Sequence, residues 1–80
     1  MSILYRDSKS FWVMETKVHL YSEVLEIGLN TVAEVDTHTY YLGREKPTVY
    51  AAITAWQKVN GRELTSLEIS RVLSENRVKP

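Results

Sequence analysis

Eighty residues without a cysteine allow one small domain with no disulfide, and ten basic against ten acidic side chains leave no formal net charge. A chain of this size seldom encloses a roomy substrate pocket, and neutrality removes the overall positive field that helps a protein hold nucleic acid. The charge is unevenly placed: residues 1–42 carry three basic and six acidic side chains and residues 43–80 carry seven and four, so the second half suits an anionic partner better than the first.

In chain order, residues 1–9 read as a loosely held arm on a single domain spanning 1–80. Ile3-Leu4-Tyr5 is cut short by Arg6-Asp7, so no signal peptide is visible. No run approaches the roughly 20 apolar residues of a membrane span. A cytoplasmic setting is the expectation. Residues 10–20 then alternate as a half-buried strand, with Trp12, Met14, Val18 and Leu20 toward the core and Glu15, Lys17 and His19 opposite. This reading buries Trp12 and leaves Phe11 partly exposed.

Residues 22–31 fit two patterns. As a strand over about 23–30, Leu25, Ile27 and Leu29 share a face; as a helix capped by Ser22, Leu20, Val24, Ile27 and Val35 line up. Gly28 would cost about 1 kcal/mol inside a helix, which favours the strand. Residues 32–42 carry the strand formers Val35, Thr37, Thr39 and Tyr41 in alternation, and Gly43 to Pro47 is a polar loop leading to a helix start.

The last third is the most strongly signalled. Val49, Ala52, Ile53, Trp56 and Val59 follow the spacing of one helix face, predicting a helix over 48–59 that stops at Asn60-Gly61. Thr65 followed three residues later by Glu68 is a capping box, and Leu64 with Ile69 a hydrophobic staple, for a second helix over 66–75. Residues 64–73 also alternate, so a final strand is the competing reading. The expected class is α+β: two or three antiparallel strands followed by two short helices packed on the sheet, with Ile53 and Trp56 at the interface.

Chemistry-bearing groups are sparse. His19, His38 and Asp36 fall short of the three or four spaced ligands of a metal site. No serine sits in a strained glycine-flanked turn, and three isolated glycines make no phosphate loop. The expectation is a non-enzymatic protein with no cofactor. Aromatic residues carry the binding signal, because an aromatic exposed on a strand marks an interface. Phe11, Tyr21 and Tyr40 are expected to form an exposed patch, joined by Tyr41 and Arg44 as protein-contact candidates. Arg71, Asn76, Arg77 and Lys79 are the candidates for DNA contact, although positive charge also suits the C-terminal end of a helix.

Lys46-Pro47-Thr48-Val49-Tyr50-Ala51-Ala52-Ile53-Thr54-Ala55-Trp56 and Arg62-Glu63-Leu64-Thr65-Ser66-Leu67-Glu68-Ile69-Ser70 together resemble the CaiF/GrlA family of bacterial transcriptional activators. Its members similarly carry a helix with a Tyr, an Ile or Val and a Trp at these intervals, then a second helix with an E-I-S-like step. The resemblance covers about residues 46–76 and implies a winged-helix or helix–turn–helix DNA-binding domain. In the family a further recognition helix follows, for which only residues 76–80 remain here. Either the second helix is the one presented, or the likeness is local.

The leading expectation is a small regulator that binds and occludes another protein, as inhibitors encoded by phages and mobile elements do, anti-defence proteins among them. The alternative is a transcription regulator using the C-terminal helix pair on DNA, as a homodimer.

Overall fold

Turns that carry no glycine–asparagine signature decide the layout of the sheet. The computed structural model describes residues 5–25 and 28–77, with side chains for 8–24 and 28–77. Its strands are β1 (Tyr5–Val13), β2 (Thr16–Leu25), β3 (Gly28–Val35) and β4 (His38–Tyr41), followed by the helices α1 (Val49–Asn60) and α2 (Ser66–Glu75). The strands form one antiparallel sheet in the order β1-β2-β3-β4. The molecule is an α+β fold, with four described strands where two or three were expected.

The segment 10–20, read as one strand, folds back at Met14-Glu15. Val13 pairs with Thr16, and both intervening residues take left-handed backbone angles (φ 47° and 69°). Positive φ at both positions of a two-residue loop suits the right-handed twist of the flanking strands. Residues 22–31 are strand rather than helix, but they divide between β2 and β3, with Leu25 opposite Gly28. Segment 32–42 is likewise cut at Asp36 (φ 54°), where Val35 pairs with His38. Residues 5–9, expected in a loose arm, belong to β1: Tyr5 pairs with Glu23 and Ser8 with Tyr21, and the two residues between them oppose Ser22 alone in a β-bulge.

The helices form where the local signals place them. The Thr48 hydroxyl accepts from the Ala51 N–H to cap α1, and Gly61 (φ 67°) ends it by donating its N–H to the Gln57 carbonyl at 2.9 Å. The capping box of α2 is complete, with the Glu68 N–H donating to Thr65 Oγ1 (3.2 Å) and the Thr65 N–H to Glu68 Oε1 (3.0 Å). Its staple is in place too, Leu64 being buried and Ile69 packed on the core.

Both helices lie on one side of the sheet. Val13, Val18, Leu20, Ala33 and Val35 meet Val49, Ala52, Ile53 and Trp56 of α1, and Leu64, Val72 and Leu73 complete the cluster. Ile53 and Trp56 thus occupy the expected interface. None of the described helices is long and apolar enough to cross a membrane.

Candidate functional site

Cross-strand partners share a face, so the register sorts every sheet side chain. Phe11 pairs with Val18 and Tyr40 with Ala33, which puts both aromatics on the helix side, at opposite edges. Phe11 packs against the core and Tyr40 is half-buried, its ring stacked on His38 at 6.2 Å. Tyr21 and Tyr41 face the other way. The expected patch of Phe11, Tyr21 and Tyr40 therefore does not assemble. The same one-residue shift at the Met14 turn reverses the expected sides of Trp12 and Phe11: Trp12 is 53 % exposed and Phe11 joins the core.

What does assemble is the side of the sheet that the helices leave open. Ser8, Tyr21, Val32 and Tyr41 form one row across all four strands. Ser10, His19, Glu34 and Thr39 form the next, and Trp12 with Lys17 lies beyond it. Val32 is fully covered although it stands outside the core cluster, because it is flanked by Tyr21 and Tyr41. Tyr41 is 63 % exposed and, with Trp12, marks two diagonal corners of this surface. The His19 ring is held between two hydroxyls, with Ser10 Oγ 3.0 Å from Nδ1 and Ser8 Oγ 3.3 Å from Nε2, and it leans on Tyr21 at 5.8 Å. Trp12 is the member that the sequence reading missed; a hairpin turn placed at Met14-Glu15 would have found it.

Arg44 is exposed in the connection between β4 and α1, on neither face. Of the DNA-contact candidates, Arg71 is paired with Glu75 one helical turn away (3.0 Å) and Arg77 is exposed with a left-handed backbone (φ 56°). Lys79 lies outside the described residues. Asn76 is committed to the fold rather than free for contact. Its Oδ1 accepts the Trp12 N–H at 2.9 Å and its Nδ2 donates to the carbonyls of Trp12 and Val72, both at 2.8 Å. The amide thus pairs with the free edge of β1 as a neighbouring strand would.

The α1–α2 turn is fixed by charge. Arg62 grips Glu68 with two hydrogen bonds (3.0 and 2.8 Å) and its guanidinium lies 5.1 Å from the centre of the Trp56 ring. Arg62 and then the Thr65 N–H hold the Glu68 carboxyl down to about 2, and the Arg62 guanidinium is shifted upward by the same hydrogen bond. A groove of about 550 Å³ runs between Met14, Leu67, Ser70 and Arg71, with Leu67 82 % exposed on α2. Among the described residues no cluster of three or more His, Asp or Glu side chains is disposed to hold a metal ion.

No family model, no curated protein and no solved structure matches this chain.

Proposed function

We propose that this is a non-enzymatic regulatory protein that binds another protein through the open face of its sheet and so occludes a functional surface of that target, in the manner of an inhibitor acting in the cytoplasm. The observation that carries the reading is the pair of exposed aromatics, Trp12 and Tyr41, at diagonal corners of a sheet face with no described helix over it. Large aromatics with little rotamer freedom dominate the energetics of protein interfaces, and truncating a well-placed one costs about 2 kcal/mol or more. Affinity capture with the immobilised protein tests it. One target should be retained by the wild type and by Leu67→Ala, and lost by folded Trp12→Ala and Tyr41→Ala, with affinities roughly 30-fold weaker. Equal retention by all four proteins removes the open face from the reading.

A second reading, DNA binding through the helix pair, is favoured by two observations: the helices are joined by residues 61–65 alone, and the Arg71 side chain is 73 % exposed on α2. This is also what the CaiF/GrlA resemblance implies. Anisotropy with a fluorescent mixed-sequence duplex is the check. Binding that weakens about tenfold or more between low and near-physiological salt, with a flatter slope for Arg71→Ala and Arg77→Ala, supports it. No binding at tens of micromolar in low salt rejects it.

A further inference from the structure

We infer that the open face selects a basic partner: an extended protein segment carrying two lysine or arginine side chains four residues apart. This names the chemistry of the target and rests on the proposed use of the same face.

The sheet register arranges the face in rows. Counting from the Met14 turn, Trp12 and Lys17 come first, followed by Ser10, His19, Glu34 and Thr39. Ser8, Tyr21, Val32 and Tyr41 form the third row, and Glu23 with Asn30 the fourth. Glu34 and Glu23 thus bracket the tyrosine row, one on each side. Neither carboxylate is engaged. His19 stands directly opposite Glu34, but both of its ring nitrogens lie within hydrogen-bond reach of β1 hydroxyls. Glu34 is left exposed, without a hydrogen bond or ion pair among the described residues. Glu23 likewise has no partner among the described residues, although it is only 8 % exposed. Its oxygens still reach solvent, since Thr31 Oγ1 is the one fully enclosed, unpartnered side-chain atom among the described residues. A cation brought to a shielded, unpaired carboxylate is held more strongly than one brought to a fully solvated group.

The basic side chain of the face, Lys17, stands beyond these rows at the Met14 end, where Asp36 is level with it. The same sign holds at longer range. Residues 1–42, which include every described strand, carry three basic and six acidic side chains. The sheet therefore draws cationic segments and turns away anionic ones.

Spacing decides what fits. Rows two residues apart at ~3.3 Å per residue, on neighbouring strands ~4.8 Å apart, place Glu23 and Glu34 about 14 Å from each other. An extended segment covers nearly that distance from residue i to i+4. Two cations then reach the two carboxylates while the side chain at i+2 meets the tyrosine row. Tyr41, 63 % exposed, offers its ring to the stem or guanidinium of the neighbouring basic residue.

A synthetic peptide with two arginines four residues apart and a valine midway (Arg-Thr-Val-Thr-Arg, capped at both ends) tests the inference, beside its glutamate counterpart. Amide chemical shifts of the full chain are followed at low and near-physiological salt. The arginine peptide is expected to bind with a Kd of about 1 mM or tighter, to shift the amides of Val32, Glu34 and Tyr41, and to weaken with salt. The glutamate peptide is expected not to bind. Glu34→Gln should weaken the arginine peptide about threefold and Glu23→Gln about tenfold, whereas Lys17→Gln should leave it as tight or tighter. Melting curves confirm that each variant is folded, and the exposed Glu34 reads the inference even where Glu23→Gln is unstable. No binding at several millimolar, equal binding of the two peptides, shifts confined to the helices, or an affinity untouched by Glu34→Gln would each overturn it. A Trp12-dependent target captured equally well by Glu34→Lys also overturns the inference and leaves the proposed function standing. Charge-selective peptide binding on the face with no target captured upholds the inference and removes the proposed function alone.

Discussion

At the scale of single residues, the carboxylate of Glu68 closes the cap of α2 through the Thr65 N–H and accepts both arms of Arg62, which in turn lies over Trp56. Its folded-state value of about 2 lies below the ordinary 4.5, so the folded state binds the proton less readily than the unfolded chain does. The stabilisation is therefore complete above about pH 4.5 and is lost as the pH falls through about 2. Glu68→Gln should lower the melting midpoint at neutral pH and flatten its decline across that acid window. A pH series of thermal melts on both proteins reads this out; parallel curves would mean that the carboxylate's charge contributes nothing.

Among the elements, the two helices were legible because their instructions are local. Thr65 and Glu68 are three residues apart, Leu64 and Ile69 five, and Gly61 stops α1 within the same stretch of chain. The strands were legible in kind, since β-branched and aromatic residues alternate, but not in number. Their turns use Met14-Glu15 and Asp36-Thr37, residue pairs without the Asn-Gly or Asp-Gly chemistry that announces a hairpin. One missed turn shifts the alternation by a residue, which is why Trp12 was assigned to the core and Phe11 to the surface. The binding aromatics were recognised as a type, and Tyr21 and Tyr41 do share the open face. Which others join them is a matter of register, and register is written across strands rather than along them. The same turn yields a prediction. Glu15 holds a left-handed angle that costs an L-residue roughly 1–2 kcal/mol and a glycine nothing, so Glu15→Gly, after its own entropy loss of roughly 0.5–1 kcal/mol, should stabilise the β1–β2 hairpin by up to about 1 kcal/mol. Urea unfolding measures this; a lower midpoint would show that Glu15 makes a contact worth more than the strain.

For the molecule as a whole, one free edge of the sheet, that of β1, is guarded. Edge strand β1 carries a bulge near its start and Lys9 along its length, both of which discourage another strand from adding. At its far end the Asn76 amide occupies the N–H and C=O of Trp12. Asn76→Ala removes both bonds to Trp12 and the one to the Val72 carbonyl and should cost about 1–2 kcal/mol, together with faster hydrogen exchange at the Trp12 amide; unchanged exchange there would mean that the pairing is not maintained in solution. The bond also joins residues 64 positions apart, whereas the hairpins of the sheet and the caps of the helices close over short stretches. Local contacts can form before so distant a pair is brought together, and the entropy of closing the long loop is repaid only when the helices have docked. The clamp is accordingly a latch made last: losing it should leave the folding rate nearly unchanged and appear almost wholly as faster unfolding.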